Sequence, residues 1–400
     1  MPPSALKKNN HSVVDIKKKQ YIGDILSEVY SSGPLTISQL AKTLHTSVPS
    51  ITGLINELMS ENWILEVGSS KTKSGRRPSL FDLNPNKNTT IVLDINLYNT
   101  TIVLINLRNE ILKTDILDLE IGDAEFPEKL SAGLFNFLEK SLKPWAVGIS
   151  VSGLVGGTDG VNYTYDNHNK NGVSLANFIQ QQIKVPTFML HDTKASMIGE
   201  HHFGLAKDKK NVLLINLNWG VGLGILSNGE IIQGADGFAG ELGHIQVNPN
   251  GELCNCGKIG CLETVASASA LIKKAKKELK AGKISSLSKM NGDISLEQII
   301  DAAIKGDEFS IDLIFDIGRE LGKGLSIAIH LFNPQIIIID GIMTNAGDLI
   351  ISTLQQAINK YCLKDFKKNI EILISPIGEK AKIYGVKSYV FHKMLQKQSI

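Results

Sequence analysis

Apolar residues recur every three or four positions in three segments near the start of the chain, as is typical of amphipathic helices. The first predicted helix runs from Lys17 to Tyr30 and ends before Gly33-Pro34. The second covers Ile37–Leu44, with Thr36 as its N-cap. The third follows the N-cap Ser47 and runs to about Ser60. Its apolar stripe comprises Ile51, Leu54, Ile55 and Leu58.

Two predicted strands, Trp63–Val67 and Leu80–Leu83, follow the third helix and are joined by a loop rich in Lys and Arg. Two short helices separated by a turn and followed by such a hairpin are typical of a winged helix-turn-helix that binds DNA. The expected DNA contacts come from the third helix and the loop, namely Ser47, Ser50, Thr52, Asn56, Arg76 and Arg77. A three-helix interaction module with a solvated basic loop is the alternative.

From residue 87 onward, apolar strands alternate with amphipathic helices. Strands are predicted over residues 90–94, 101–106, 146–151, 187–190, 212–217, 221–227, 336–339 and 370–374. Helices are predicted over residues 126–142, 175–184, 193–203, 266–281, 296–305, 308–332, 344–362 and 381–395. Strand pairs followed by helices occur twice, which predicts two related α/β halves. The expected domains are residues 1–86 with an N-terminal arm, residues 87–205 with 381–400, and residues 206–380.

Composition is ordinary for a soluble protein, with 42% hydrophobic and 20% charged residues and a net charge of +2. Positive charge is concentrated in the first 87 residues, which carry 11 Lys and Arg against 7 Asp and Glu. That distribution favours a polyanion as the partner of the N-terminal module. The sequence has no predicted membrane span or signal segment, and Cys362 has no obvious partner. These features predict a cytoplasmic protein with reduced cysteines.

The remaining cysteines lie close together in a stretch rich in Gly and Asn. Cys254, Cys256 and Cys261 are separated by two and five positions, and His244 precedes them by ten. Three thiolates and an imidazole match a closed tetrahedral zinc site, which is structural because no position is left for substrate. Buried or disulfide-bonded cysteines are the alternative.

Two longer motifs contain these residues and carry a family resemblance. They are Gly237-Phe238-Ala239-Gly240-Glu241-Leu242-Gly243-His244 and Cys254-x-Cys256-Gly257-x-x-Gly260-Cys261-Leu262-Glu263. With the helix-turn-helix, the chain resembles the repressor branch of the ROK family (repressors, open reading frames and kinases) over about residues 17–395. The resemblance implies an actin-like ATPase fold, in which two α/β lobes enclose a cleft, behind the winged helix-turn-helix. It also implies that sugar is contacted by Asn167, Asp192, Glu241, His244 and Glu263.

The sequence departs from the kinases of this family where they bind nucleotide phosphates. Two glycines that follow Asp94 in the kinases are replaced, leaving the stretch Asp94-Ile95-Asn96-Leu97-Tyr98. At the second phosphate loop, Trp219 stands where the family has a threonine, and Asp340 replaces a glycine after Asn333-Pro334. Glycine lets a backbone approach phosphate without a Cβ in the way. We therefore expect that ATP is not bound productively and that no residue is catalytic.

These features predict a sugar-responsive DNA-binding repressor of carbohydrate-utilisation genes, with a sugar or amino sugar as effector and structural zinc as cofactor. A module of this kind reads two half-sites, so a homodimer or a dimer of dimers is expected on operator DNA. One alternative is a sugar kinase that uses Mg-ATP, with Asp192 as general base. Another is a regulator whose body binds a protein partner. The sequence does not identify the sugar or the operator.

Overall fold

The computed structural model of the protein describes residues 13–70, 77–138, 143–157, 160–165, 168, 172–289, 293–367 and 370–398. The helices are α1 (Val13–Ser32), α2 (Ile37–Thr43), α3 (Val48–Ser60), α4 (Phe126–Phe137), α5 (Leu175–Ile183), α6 (Asp192–Phe203), α7 (Glu263–Ala266), α8 (Ala268–Lys280), α9 (Leu296–Ile304), α10 (Glu308–Phe332), α11 (Asp348–Tyr361), α12 (Lys364–Lys367) and α13 (Lys380–Gln398). The strands are β1 (Ile64–Ser69), β2 (Ser79–Leu83), β3 (Thr89–Ile95), β4 (Thr100–Asn106), β5 (Ile111–Leu117), β6 (Ala146–Val151), β7 (Thr187–His191), β8 (Val212–Leu217), β9 (Val221–Ser227), β10 (Glu230–Ile231), β11 (Ile336–Asp340) and β12 (Glu371–Ile374).

The N-terminal module consists of α1–α3 and the hairpin β1–β2, as the sequence predicts. Thr36 caps α2 in a reciprocal capping box with Gln39, and Ser47 caps α3 by accepting from the backbone N–H of Ser50. Strands β1 and β2 pair antiparallel, and the register shifts between Glu66 and Gly68. The tip of the predicted basic loop, residues 71–76, lies outside the described residues.

The body contains two sheets with the same arrangement. The first has the order β5-β4-β3-β6-β7 and the second the order β10-β9-β8-β11-β12. In each, an antiparallel meander supplies three strands and two further strands pair in parallel with it. The four strands at the centres of the sheets are buried runs of mostly Ile, Val and Leu, as expected for sheets covered on both faces. The prediction of two related α/β lobes is confirmed.

Helices α6 and α13 cross at very short range between the two lobes. A Cβ on Gly199 would lie 2.0 Å from the carbonyl oxygen of Ala381, and one on Gly385 would lie 1.8 Å from that of Ala195. Only glycine fits at either position, so the two helices pack backbone against backbone. Helix α13 also contacts β3 and β6 of the first sheet, and α6 contacts β8 and β9 of the second.

The N-terminal module shares its core with the end of α13. Tyr30 of α1 stacks on Phe391 of α13 with ring centroids 4.4 Å apart, and its hydroxyl donates to Asn109 at 2.9 Å. Trp63 packs edge-on against Trp145. Phe391 and Leu395 belong to the same buried cluster as the apolar stripe of α3. The module is therefore docked on the body through a hydrophobic contact.

Several elements differ from the prediction. Strands β5 and β10 are missed, because both lie at sheet edges and expose most of their residues. The helix predicted over 266–281 is α8, which starts at Ala268 because Ser267 adopts an extended backbone and caps it, and the short α7 before it was missed. The helix predicted from residue 344 starts at Asp348, after a 3-10 turn. Part of the helix predicted over 126–142 falls outside the described residues. No helix in the described part of the chain is long and apolar enough to cross a membrane.

Candidate functional site

Residues at the carboxyl ends of strands from both sheets meet in one cleft between the lobes. Asp94 is the second-last residue of β3, Asp340 ends β11, and Asp192 follows β7 as the first residue of α6. Lys382 of α13 lies among these carboxylates. Ligands of open α/β sheets bind beyond the carboxyl ends of the strands, so this cleft is the candidate site.

One side of the cleft, the carboxylate face, is formed by Asp192, Glu241 and Glu263 with Tyr165 and His244. His244 Nε2 lies 3.9 Å from Glu241 Oε2. Glu263 accepts the backbone N–H of Val221 at 3.3 Å, and a Cβ on Gly220 would lie 2.4 Å from its Oε2. Glycine at position 220 is therefore what lets Glu263 reach the strand. These side chains are partly exposed, so their oxygen atoms remain open to a ligand.

The carboxyl groups of this face lie close enough to influence one another's pKa. Burial raises the pKa of Glu263, and the Glu241 carboxylate adds to that shift while His244 opposes it. Burial also raises the pKa of the Tyr165 hydroxyl, with Asp192 and Glu263 contributing in the same direction. A cluster of carboxylates beside a phenol is suited to accept several hydrogen bonds from a polyhydroxylated ligand.

Asp192 does not cap α6. The N-cap is His191, whose ring accepts from the backbone N–H of Thr193, and Asp192 is the first helical residue. His191 Nδ1 lies 3.3 Å from Asp192 Oδ1. Asp192 Oδ1 also accepts the backbone N–H of Thr193 at 2.5 Å and its hydroxyl at 3.0 Å, so Oδ2 is the carboxylate oxygen left for the cleft.

The opposite side, the loop face, comprises residues 94–100, 218–220 and 340–342. Four of its backbone amides are paired within the chain. Asn96 N–H donates to Asn99 O at 2.9 Å, and Asn218 N–H donates to Gly220 O at 3.1 Å. Gly341 N–H donates to the Asp340 carboxylate at 2.8 Å, and Ile342 N–H donates to the Asn218 side chain at 2.8 Å. Tyr98 and Trp219 meet edge to face with ring centroids 5.3 Å apart. The two loops therefore contact each other directly.

A buried lysine holds the loop face together. Lys382 Nζ lies 2.8 Å from Asp94 Oδ2 and donates to Asn96 Oδ1 at 3.0 Å. Burial alone would lower the pKa of Lys382, but the carboxylates of Asp94, Asp192 and Asp340 outweigh burial and raise it. Burial in turn raises the pKa of Asp340. The ammonium group therefore stays charged and serves as the internal counter-ion of these carboxylates.

The predicted metal ligands come together as expected. The ligand atoms of His244, Cys254, Cys256 and Cys261 all lie within 4.8 Å of one another. Cys254 Sγ is 3.7 Å from His244 Nδ1, and Cys256 Sγ is 3.6 Å from Cys261 Sγ. A disulfide requires about 2.05 Å between sulfurs, so these thiols are not bonded to each other. A tetrahedron with zinc–sulfur distances of about 2.3 Å has edges of about 3.8 Å, which these separations match.

The loop that carries the thiols depends on one crowded glycine. Gly260 has φ +74°, and a Cβ there would lie 1.5 Å from the carbonyl oxygen of Asn248. Burial raises the pKa of Cys261 to about 12, and the thiols of Cys254 and Cys256 contribute in the same direction. Deprotonated thiols so close together need a cation, which is the chemistry that a divalent metal supplies.

The face of α3 opposite its buried stripe is polar and open. Ser47, Ser50 and Asn56 are exposed, and Thr52 is partly exposed and donates to Val48 O at 2.8 Å. The hydroxyl of Ser47 is used in capping and contacts that of Ser50 at 2.8 Å. Arg77 is exposed beside β2, whereas Arg76 lies outside the described residues. Asn167, the fifth candidate sugar ligand, also lies outside them.

The sequence analysis assigned no role in the cleft to four residues. They are Tyr165, Lys194, Lys382 and Asn96, which accepts a hydrogen bond from Lys382. Lys194, two positions after Asp192, donates to Gly237 O and lies near Glu241. Tyr165 lies two positions before Asn167, and Lys194 lies two positions after Asp192, so the sequence contains a signal that places both near the sugar site. For Lys382 the sequence contains no such signal, because 286 positions separate it from Asn96 and only the fold brings the two together.

Residues 90–393 match the sequence model of the ROK family, and residues 23–66 match that of the MarR family. The xylose repressor of Caldicellulosiruptor bescii is 29% identical, over 93% of this chain and 95% of the relative. The DNA-binding transcriptional dual regulator NagC of Escherichia coli is 30% identical, over 92% of each chain.

Solved structures agree with these relatives. A ROK family transcriptional regulator described as a homologue of the Escherichia coli MLC protein has a TM-score of 0.82 and 28% identity, covering 96% of this chain and 99% of its own. A ROK family glucokinase from Streptomyces griseus, solved with glucose and AMPPNP, has a TM-score of 0.65 and 26% identity, covering 74% of this chain. The first match includes the N-terminal module and the body together. The chain belongs to the ROK family.

Proposed function

We propose that the protein is a sugar-responsive transcriptional repressor. The observation that carries this proposal is the course of α13, whose first turn reaches the cleft at Lys382 and whose later turns lie under α1 at Phe391. One rigid helix therefore joins a candidate ligand site to a candidate DNA-binding module. A relative named as a repressor and one named as a transcriptional dual regulator align over nearly the whole chain and support the same function.

In this proposal, α3 contacts the major groove through its polar face, with Ser50, Thr52 and Asn56 toward the bases and Ser47 near a phosphate. Arg76 and Arg77 contact the backbone from the loop between β1 and β2. A dimer places two such modules on two half-sites. Each module is held at a defined angle because α1 is docked on α13.

The effector is a sugar held by Asp192, Glu241, His244 and Glu263, with Asn167 as a further contact. Carboxylates accept hydrogen bonds from sugar hydroxyls, and the neutral imidazole of His244 presents one nitrogen to metal and one to the ligand. Release from DNA requires that sugar bind one arrangement of the lobes more tightly than the other. A hundredfold ratio between the sugar affinities of the two arrangements supplies about 2.7 kcal/mol per site.

The four-residue cluster is proposed to hold structural zinc. Zinc supplies a fixed tetrahedral crosslink there, since all four positions are filled by protein. His244, Cys254, Cys256 and Cys261 then hold one wall of the cleft rigid, because Glu263 follows Cys261 by two residues and Glu241 precedes His244 by three. The cluster orients sugar-binding side chains and takes no part in a reaction.

No kinase activity is proposed, because the backbone N–H groups of Asn96, Asn218 and Gly341 are already paired and the bulky rings of Tyr98 and Trp219 lie on the loop face. A coupled assay over hexoses, pentoses and amino sugars is expected to show no ATP turnover. Turnover at ordinary kinase rates of about 1–100 per second would contradict the repressor assignment of this site.

The function is tested with a labelled DNA duplex that the full chain selects from a random pool. A sugar panel is screened for thermal stabilisation, and each stabilising sugar is added to the DNA complex. The expected result is that the stabilising sugar weakens DNA binding about tenfold or more. If no sugar changes either the melting temperature or the DNA affinity, the proposed function is wrong.

Two variants separate sugar binding from DNA binding. Glu263→Ala is expected to bind DNA normally but to lose the response to sugar, since it removes a carboxylate of the cleft. Glu252→Ala is the matched control, because Glu252 lies on the surface of the same loop and pairs with Lys273. Normal release of Glu263→Ala from DNA by sugar would contradict the sugar site.

The basic loop is tested by the salt dependence of DNA binding. Arg76→Ala with Arg77→Ala is expected to weaken binding and to reduce the slope of log affinity against log salt by about 2, since each lost phosphate contact contributes about 0.9. Lys280→Ala with Lys283→Ala, two exposed cations of the second lobe, is the charge-matched control. An unchanged slope in the arginine variant would exclude the loop from the interface.

The zinc proposal is tested by metal analysis. Wild-type protein is expected to contain one zinc per chain, and Cys256→Ser to lose the metal and melt at lower temperature. Cys362→Ser, which alters a buried cysteine outside the cluster, should keep the metal. Metal-free wild-type protein with unchanged melting would overturn the proposal.

A further inference from the structure

The turn between β4 and β5, residues 106–110, contacts the N-terminal module at three consecutive positions. Leu107 is 1% exposed and belongs to the buried cluster that forms the core of the module. Arg108 contacts the end of β2, and Asn109 accepts the hydroxyl hydrogen of Tyr30 in α1 at 2.9 Å. One turn of the first lobe is therefore in contact with the core, the hairpin β1–β2 and the first helix of the module.

The side chain of Arg108 holds the last two residues of β2. Its Nε donates to the carbonyl oxygen of Leu83 at 2.7 Å and lies 2.9 Å from Asp82 Oδ2. The side chains of Arg108 and Asp82 are 26% and 14% exposed, so water and salt screen the pair only in part. Because a guanidinium is planar and presents its donors in fixed directions, these contacts restrict the orientation of β2 as well as its distance from the lobe.

The turn that carries Arg108 is itself held in shape by Asn106. Asn106 Oδ1 accepts the backbone N–H groups of Arg108 and Glu110 at 2.9 and 3.0 Å, and its Nδ2 donates to Glu110 Oε2 at 2.7 Å. Asn106 is the last residue of β4 and is 3% exposed. Arg108 therefore projects from a fixed base in the first lobe.

The linker that joins the module to the first lobe is held more weakly. Asn84 donates from its side chain to Asn62 O at 2.9 Å, and Lys87 Nζ donates to Glu61 O at 2.8 Å, but both bonds are exposed. Exposed hydrogen bonds are exchanged for bonds to water at little net cost. The partly buried contacts of Arg108 are therefore the stronger polar constraint on the orientation of the hairpin.

We propose that Arg108 is a positioning residue that fixes the angle between the module and the first lobe, and that it thereby determines which spacing of DNA half-sites a dimer accepts. The inference rests on the proposed function, since it requires a dimer on two half-sites. Each base pair added between the half-sites rotates one of them by about 34–36° and moves it by about 3.4 Å. A rigidly held module cannot follow that displacement, whereas a module that turns on its linker can.

The test uses the full chain and the two-fold symmetric duplex that it selects from a random pool, together with duplexes that carry one or two extra base pairs at the centre. Wild-type protein is expected to lose about tenfold or more in affinity when two base pairs are added, because one half-site no longer fits. Arg108→Ala is expected to lose less than about threefold on the same insertion. Its affinity for the selected duplex should be somewhat lower, because the module is no longer held in the binding orientation.

Two further variants separate positioning from a general loss of structure. The charge swap Asp82→Arg with Arg108→Asp restores an ion pair in reverse and is expected to regain part of the spacing dependence. Arg319→Ala is the matched control, because Arg319 pairs with Asp316 and Glu320 in the second lobe and should leave the spacing dependence unchanged. If Arg108→Ala does not fold, Arg108→Lys takes its place, since it keeps the charge but not the planar group, and an intermediate dependence is expected.

The salt dependence of DNA binding shows whether Arg108 acts through the protein or through DNA. A positioning residue leaves the slope of log affinity against log salt unchanged, whereas loss of a phosphate contact reduces it by about 0.9. A reduced slope in Arg108→Ala, or a spacing dependence equal to that of wild type, overturns the inference and leaves the proposed function intact. A selected duplex with a single half-site also overturns the inference, and a wild-type chain that selects no DNA overturns the proposed function itself.

Discussion

Two lysines of α13, five positions apart, are both buried and have opposite titration behaviour. Lys382, at the cleft, is surrounded by Asp94, Asp192 and Asp340, which raise its pKa. Lys387, under the N-terminal module, has no hydrogen-bond partner for its Nζ among the described residues, and burial lowers its pKa well below the usual value. The difference shows that burial alone does not determine the pKa of a lysine, because charged and hydrogen-bonding partners can outweigh it.

The surroundings of Lys387 are aromatic. Its Nζ lies 4.2 Å from the ring centroid of Tyr30 and 4.7 Å from that of Phe391. The faces of these rings offset part of the desolvation cost of a charge but replace no hydrogen bond. The cleft end of α13 is therefore an electrostatic contact, whereas the module end is a hydrophobic contact that contains one buried amine with a lowered pKa.

The largest expected effect comes from removing the charged lysine. Lys382→Met leaves its carboxylates without a counter-ion, and loss of one partner of a buried pair costs about 3–5 kcal/mol. Urea denaturation measures this loss. Asp94→Asn in the Lys382→Met background should restore a large part of the stability, because it removes one of the uncompensated charges. A single variant as stable as wild type would show that Lys382 is not the counter-ion.

A smaller effect is expected from pH, acting at the module end. Ser27 and Ser31 of α1 contact His392 at 3.5 Å and His202 at 3.4 Å. Burial lowers the pKa of both histidines to about 4. Their neutral forms are thus favoured in the folded protein, so the stability they contribute is complete above pH 6.5 and is lost as pH falls toward 4.

At pH 5.5 the expected loss is about 1 kcal/mol for each histidine. Urea denaturation at pH 7.5 and pH 5.5 measures it, and the double variant His202→Gln with His392→Gln should lose less stability between these two pH values. Lys382 adds no pH dependence in this window, because a raised lysine pKa affects stability only above about 10.4. Equal losses in wild type and the double variant would place the pH effect elsewhere.

The smallest expected effect is a gain. Lys387→Met replaces a buried amine with an apolar side chain of similar length, and removing an unpaired buried polar group is expected to stabilise the protein by about 1–2 kcal/mol. The gain should shrink as pH rises toward 10.4, where an unfolded lysine also loses its proton. Stability measured at pH 7 and pH 9 tests both points, and a loss of stability at pH 7 would contradict a lowered pKa for Lys387.

The sequence predicts those features that depend on residues close to one another in the chain. The caps Thr36 and Ser47 fix the starts of α2 and α3, and the central strands are buried apolar runs that periodicity identifies. The metal ligands are also local, because 17 positions separate His244 from Cys261. Edge strands such as β5 escape prediction, since half of their pattern is polar.

Sequence motifs predicted residues of the carboxylate face of the cleft but not the contacts within the loop face. Asp192, Glu241 and Glu263 were identified by resemblance, and the structure places them on one face. The pairing of Asp94 with Lys382 was not predicted. Asp340 and Trp219 indicated that the phosphate loops differ from those of the kinases, but they did not indicate which side chain lies between those loops. Only the long-range packing of α13 provides that answer.

The late position of α13 in the chain has a consequence for synthesis on the ribosome. Ser27 and His392 are in contact although 365 positions separate them. The core under the DNA-binding module lacks Phe391 and Leu395 until these residues leave the exit tunnel. A nascent chain can form the N-terminal module early, but the module cannot dock on the body before α13 has been made. The protein therefore acquires its DNA-binding geometry only after α13 has been synthesised, when its cleft is also completed.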